Sequence, residues 1–309
     1  MTLTELTNKW AGISPFGEGF LLVPDNHPLS FHIGYDGQGH KCFVVLNTGK
    51  TDKIVSSKAI SVRCALLTTG NYSLSFVLNY PSLDELFVKL CWDLMEASRE
   101  SAEPVTSIIN RYNSWLRLLQ QAGHDYLSAS EQKGLLGELI SLEKSMDELG
   151  EADAVSAWVG PEGADQDFNF HNYWLEVKAV SIAADSVSIS SIQQLDRNDY
   201  GILRVYFMDK TSSEGAQTVS LPEKVSAIRG KIQSARIADM FSCKLAKAGY
   251  FEKDVDHYND SRYRMAELRN YSVVDGFPRL TKSNIPTGIS QAKYSINLAI
   301  LESYRIQEN

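Results

Sequence analysis

An α/β (α+β) architecture, with a mixed sheet flanked by helices behind an N-terminal antiparallel β module, is expected from three features of the 309-residue chain. Short runs of alternating apolar and polar residues fill the first eighty positions. Two helical stripes of apolar residues follow, and helix-period and strand-period segments then interleave toward the C-terminal end.

The runs FLLVP, LSFHIGY, KCFVVLN, VRCALLTTG and YSLSFVLNY read as strands, punctuated by Asp36-Gly37 and Gly70-Asn71. VVLNTGKT has the ending of a phosphate-binding loop. Val44 stands where the first glycine of G-x-x-x-x-G-K-[ST] belongs, so no nucleotide site is expected there. Ser82 and Glu85 have capping-box spacing ahead of Leu83, Leu86, Phe87, Leu90 and Leu94, and Ile108, Ile109, Tyr112, Trp115, Leu116 and Leu119 repeat the helical pattern. These two helices are expected to close a first domain, residues 1–125.

A second domain, residues 126–309, opens with a capping box from Ser128 to Glu131 and the stripe Leu135, Leu139, Leu142, Met146, Leu149. Glu138 lies at the edge of that stripe, where it faces either a cleft or solvent. Asp167 to Phe170 and Trp174 to Val180 read as a hairpin turning at His171-Asn172-Tyr173. Ser186 to Ser190 alternates serine with Val187 and Ile189 as a strand, and a helix is expected to begin at Ser191. GILRVYFMD, 201–209, is another strand; residues 222–249 are mainly helical and basic; FPRLT, 277–281, is expected near a strand covering the core.

At 43% hydrophobic content the chain can bury a substantial core, yet no apolar run approaches a membrane span. MTLTELTNKW lacks the basic and apolar regions of a secretory signal, so a cytoplasmic location and no membrane partner are expected. Cys42, Cys64, Cys91 and Cys243 are widely spaced and read as reduced thiols. A net charge of −8 argues against a general polyanion binder. The charge is uneven, however: Glu131 to Asp153 holds seven acids and two lysines, whereas Glu223 to Lys247 holds six bases and two acids.

Strand side chains alternate faces, so Glu176 and Lys178 point one way while Leu175, Val177 and Ala179 point the other. If Phe170 faces Trp174, Asp167 falls opposite Val177, and two carboxylates and an ammonium converge. Such a cluster suits a hard divalent cation that keeps positions for water and a phosphate, with the lysine placed to bind the phosphate or orient water. Plainer readings stand beside it: an exposed Glu176–Lys178 cross-strand pair, a solvated Glu138, an ordinary helical Gln194, and an exposed His171 in the turn.

This arrangement resembles the PD-(D/E)XK nuclease superfamily, with Asp167 at a strand edge and Glu176 and Lys178 as the E-x-K of the next strand. By that resemblance Glu138 corresponds to the acidic residue of the preceding helix and Gln194 to a glutamine after the third strand. Gln166 stands where the superfamily has proline, although Pro161 lies nearby. The ordered segments LFVKLCWDLME, RYNSWLRLLQ, GLLGEL, WVGPEGADQDFNF, LEVKAV, SISSIQQLD and YSVVDGFPRLT resemble, over nearly the whole chain, the PD-(D/E)XK-motif family found among bacterial restriction and phage-defence genes.

The resemblance implies a restriction-endonuclease-like fold and a DNA endonuclease dependent on Mg²⁺, for which Mn²⁺ substitutes. Asp167, Glu176 and the Val177 carbonyl would ligate the ion, Lys178 would position the attacking hydroxide, Gln194 would orient the lysine or a phosphate, and Glu138 would assist. Residues 1–125 would serve recognition or partner binding. Lys224, Arg229, Lys231 and Arg236 on the basic helices are candidates for DNA backbone contact. So are Arg262 and Arg264, which alternate with Tyr258, Tyr263, Arg269 and Tyr271 in a stretch that suits either phosphate and base contact or a partly buried surface. A homodimer or partner proteins of a defence system are the expected company. The alternative is an inactive nuclease-fold subunit used for DNA binding or assembly.

Overall fold

A computed structural model describes the chain apart from residues 16, 18, 25, 52–53, 122–125, 213–217 and 308–309, and apart from the side chains of 117–121. Two compact units, Met1–Asp125 and Tyr126–Asn309, make up the chain.

The first unit begins with α1 (Leu3–Ala11), whose start is fixed by a capping box between Thr2 and Glu5. Strands β1 (Phe20–Leu22), β2 (Ser30–Tyr35), β3 (Lys41–Thr48), β4 (Ile60–Leu66) and β5 (Tyr72–Leu78) form an antiparallel sheet in the order β1-β2-β3-β5-β4. Helices α2 (Asp84–Ser98) and α3 (Pro104–Gln121) follow. Phe31, Phe43 and Phe76 come from successive strands of the sheet, and Phe76 meets Tyr112 of α3 edge-on at 5.1 Å, so helix and sheet share one aromatic core. The expected capping box at Ser82 does not form. Pro81–Leu83 makes a 3-10 turn instead, and the helix starts after Leu83 without a side-chain cap. The expected stripe is buried at Ile108, Ile109, Tyr112 and Trp115, and the side chain of Leu119 lies outside the described residues.

The second unit holds α4 (Ala129–Leu149), α5 (Glu151–Ala157), β6 (Phe168–Asn169), β7 (Trp174–Val180), β8 (Ser186–Ile189), β9 (Gly201–Thr211) and β10 (Thr218–Ser220). It continues with α6 (Leu221–Lys231), α7 (Ala235–Lys247), β11 (Arg262–Val273), β12 (Tyr294–Asn297) and α8 (Leu298–Leu301). Its five-stranded sheet runs β10-β11-β9-β7-β6; β7 and β9 are parallel and the other neighbours antiparallel. One face packs against α4, α6 and α7 through Leu135, Leu139, Val177, Tyr206, Ile228 and Phe241. The other packs against a two-stranded β8–β12 sheet through Trp174, Leu203, Val187, Ile189 and Ile296.

The Ser128–Glu131 capping box forms as expected, and α4 then crosses β7 at close range. A Cβ at Gly137 would lie 3.2 Å from the Tyr206 ring and 3.3 Å from a Val177 methyl, so glycine is what lets the helix settle this low. Glu138, the next residue, is thereby brought to the sheet edge. Leu149 ends the expected stripe but is exposed at the last turn of α4.

Three further segments complete the unit. FPRLT is irregular, with Arg279 N–H bending back to the Phe277 carbonyl at 2.8 Å, and it lies near β12 of the covering layer: Leu280 N–H donates to the Tyr294 hydroxyl at 3.3 Å and Phe277 enters the core. The helix expected from Ser191 stops after one 3-10 turn, Ile192–Gln194. The serine-alternating segment forms a strand as expected, β8, in the small covering sheet.

Candidate active site

The hairpin that carries the motif turns one residue tighter than the sequence suggests. Phe168 pairs with Leu175 and Asn169 with Trp174, and Phe170 N–H donates to the Tyr173 carbonyl at 2.9 Å. Only His171 and Asn172, both exposed, remain for the turn. Asp167 therefore aligns with Glu176, not with Val177.

The ladder between β6 and β7 ends after two pairs, and a side chain takes over from it. Asp167 Oδ2 accepts the Val177 N–H at 2.7 Å, while the Asp167 carbonyl accepts from Val159 and Gly160 at 2.8 and 2.9 Å. A Cβ at Gly160 would lie 3.0 Å from Asp167 Oδ1 and 3.4 Å from Glu138 Oε2, so both carboxylates flank this glycine. Trp158, fully buried, donates its indole N–H to Glu138 Oε2 at 2.8 Å. The helix glutamate is thus joined to the strand aspartate, and the reading of Glu138 as a solvated helix residue is set aside.

Glu176 has no exposed surface. Its face of β7 lies under the β8–β12 layer, so the Glu176–Lys178 pair, 2.7 Å apart, is a buried contact and not a solvent-exposed one. Oε1 of Glu176 faces the lysine ammonium, and Oε2 has no hydrogen-bond partner among the described residues. Lys178 Nζ also donates to Gln194 Oε1 at 3.1 Å, and the same oxygen accepts the Ser190 N–H at 2.8 Å. Gln194 is no ordinary helix residue.

Burial drives the electrostatics. It pushes the Glu138 carboxyl up to about 8, with the charge of Asp167 adding to the rise and the Trp158 hydrogen bond opposing it. Burial also raises Asp167, against the pull of Lys178 and the Val177 N–H. Glu176 is raised well above the carboxylate range by burial first and by Asp167 second, with Lys178 in opposition. Three acids share one ammonium. Among the described residues no three His, Cys, Asp or Glu side chains form a ready-made metal cluster.

The remaining sequence candidates lie on other surfaces. Lys224 pairs with Glu143 at 2.6 Å, Lys231 with Glu143 and Asp147 at 3.1 and 2.9 Å, Arg229 with Glu252 at 2.5 Å, and Arg262 with Glu223 at 2.8 Å. The acidic α4 and basic α6 thus answer one another. Arg236 and Arg264 are exposed. Tyr258, Tyr263 and Tyr271 are buried in the core, which removes them as stacking platforms for bases. Lys244, within the basic run, is buried and donates to the Trp158 and Ser156 carbonyls.

Sequence reasoning missed Trp158, Gly160 and Gln166. All three flank the motif aspartate in WVGPEGADQD; the signal present was an unexplained tryptophan and glycine just ahead of that aspartate.

No curated protein and no solved structure matches the chain. A family model, DUF4420, described as a PD-(D/E)XK family member, matches residues 6–299. The mixed sheet with its flanking helices agrees with the restriction-endonuclease-like fold that this superfamily shares. With the match spanning nearly its full length and the motif residues meeting at one sheet edge, the chain belongs to this family of the PD-(D/E)XK nuclease superfamily.

Proposed function

We propose that the chain is a divalent-metal-dependent endonuclease that hydrolyses DNA phosphodiester bonds in the bacterial cytoplasm, in restriction or phage defence. The observation that carries this reading is Glu176, fully buried with Oε1 against Lys178 Nζ and Oε2 lacking a hydrogen-bond partner among the described residues, beside Asp167 in the order of the family motif. A buried carboxylate oxygen without a partner is costly unless a cation answers it.

Asp167, Glu176 and the Val177 carbonyl would hold Mg²⁺ or Mn²⁺. The residues fit such an ion, because they offer hard oxygen donors and three acids for which one ammonium compensates incompletely. The carbonyl fits too: the N–H and C=O of a strand residue project to the same side, and Val177 N–H points at Asp167. When bound, the ion would offset charge on the phosphodiester oxygens and acidify water. Lys178, held by Gln194, orients the attacking water in line with the phosphorus, and Glu138 holds a proton close to the same edge. Residues 1–125 would recognise DNA or a partner. Phosphates reaching Lys224, Arg229, Lys231 or Arg262 would replace the carboxylates these residues now touch; Arg236 and Arg264 are further candidates on the surface.

Plasmid cleavage with Mg²⁺ or Mn²⁺ tests the reading. Cutting is expected for the wild-type protein and is lost in Asp167→Ala and Lys178→Ala; undiminished cutting in those variants overturns the mechanism. A second reading, an inactive nuclease-fold subunit for DNA binding or assembly, draws support from the ion-paired basic helices and the net charge of −8. Calorimetric titration separates the two, since a vestigial site has no Mn²⁺ affinity that depends on Asp167 and Glu176.

A further inference from the structure

Gln166 occupies the position before the motif aspartate and is buried. Its Nε2 donates to the Gln193 carbonyl at 2.7 Å and reaches the Gln194 carbonyl at 3.3 Å, while its Oε1 accepts from Arg197 Nη1 at 3.5 Å. The arginine fixes which way the amide points, because an amide turned over would set its NH₂ group against a guanidinium and its oxygen against two carbonyls.

The carbonyls that Gln166 engages belong to the single 3-10 turn Ile192–Gln194. A turn this short leaves its terminal carbonyls without partners inside the helix and has little stiffness of its own. Just past the turn, Arg279 Nη1 donates to the Leu195 and Arg197 carbonyls at 2.6 and 2.8 Å. The turn is held by a glutamine and the residues that follow it by an arginine, and its outgoing side chain, Gln194, accepts from Lys178 Nζ at 3.1 Å.

We infer that Gln166 is a positioning residue for Lys178: through the Ile192–Gln194 turn it ties the place of the lysine ammonium to the strand that carries Asp167. This rests on the reading of Lys178 as the group that orients water. The sequence offers only a glutamine where proline was expected; the structure gives that glutamine a task proline cannot perform, since it requires an N–H donor reaching the turn. A misplacement of about 1 Å at a catalytic group costs on the order of 100-fold in rate, so such a clamp has a measurable effect.

The test is nuclear magnetic resonance of isotope-labelled lysine in the full-length protein. Held ammonium groups give side-chain signals that freely solvated ones lose to exchange. The Lys178 signal is assigned by its loss in Lys178→Met, and Lys244, buried on carbonyls on another element, reports that the fold is intact. In Gln166→Met, which keeps the chain length and removes the donor, the Lys178 signal is expected to shift and weaken, the Glu176 contact alone then holding the ammonium, while the Lys244 signal stays. Gln166→Glu serves if the methionine variant does not fold, because it keeps the shape and likewise loses the donor. A Lys178 signal unchanged in these variants, or none in the wild-type protein, overturns the inference. A plasmid assay on the same samples keeps the two readings apart: turnover lowered roughly 10- to 100-fold at unchanged KM accompanies positioning. Absence of wild-type cleavage with the expected spectra counts against the nuclease reading and leaves the clamp standing.

Discussion

The Trp158 indole donates to Glu138 Oε2 at 2.8 Å while the carbonyl of the same tryptophan accepts from buried Lys244, so one residue spans from α7 to the α4 carboxylate. Removing the acceptor leaves a buried N–H without a partner, which costs about 1–3 kcal/mol. Glu138→Ala is therefore expected to destabilise the protein by that order, and Glu138→Gln, which still presents an oxygen to the indole, by much less. Urea unfolding of the two variants at about pH 4.5, where the pH-linked loss through this carboxyl has not yet set in, makes the comparison.

Stability should also depend on pH through this carboxylate. Its folded pKa, about 8, lies above the ordinary 4.5. The stabilisation is therefore complete below about 4.5 and is lost as pH rises through 8, because the unfolded chain ionises first. Asp167 and Glu176 shift in the same direction. In chelator, the melting temperature of the wild-type protein is expected to fall between pH 5 and about 9. Glu138→Gln should melt above wild type at the alkaline end, with the difference closing at the acid end; parallel curves for the two proteins would contradict the assignment.

Metal binding should run opposite to proton binding. A cation entering among acids with raised pKa values displaces their protons, so Mn²⁺ affinity is expected to strengthen from pH 6 to about 8 with proton release. Calorimetry in two buffers of different ionisation enthalpy measures both. Asp167→Ala should weaken the affinity by at least the roughly 10- to 100-fold that loss of a ligand's supporting partner costs.

Gly160→Ala is a small change at a crowded place. Its Cβ would stand 3.2 Å from the Asp167 Cα and 3.0 Å from Oδ1, so the segment that bears the proposed ligand must give by a few tenths of an ångström. Overpacking of this kind costs about 1–3 kcal/mol. Cleavage should fall far more than stability does, by roughly 100-fold in rate, as measured by plasmid turnover beside thermal melts.

Much of this was legible in the chain because the decisive residues obey local rules. Ser128 and Glu131 cap a helix by spacing alone, and the alternation in WLEVKAV assigns Val177 and Glu176 to opposite faces whatever covers them. What covers them was not legible. The β8–β12 layer that buries Glu176 depends on strands more than a hundred residues apart pairing in space, which no local period records. The hairpin register slipped by one because turn length, two residues against three, cannot be read where Phe170 and Tyr173 both suit a strand end. The basic helices misled for a related reason. Lys224 and Lys231 look like a free cationic face until α4 places Glu143 and Asp147 against them.

Position 177 divides its labour between two kinds of atom. The valine methyls pack beneath Gly137 in the core, while the amide serves Asp167 on the open margin of β7. Side-chain identity here therefore governs robustness and leaves the chemistry alone: trimming to alanine should loosen the helix–sheet seam without disturbing the aspartate. Proline, which deletes the amide, should unfasten that carboxylate outright. Apolar substitutions at this residue therefore retune the interior while the amide that holds the Asp167 carboxylate stays in place.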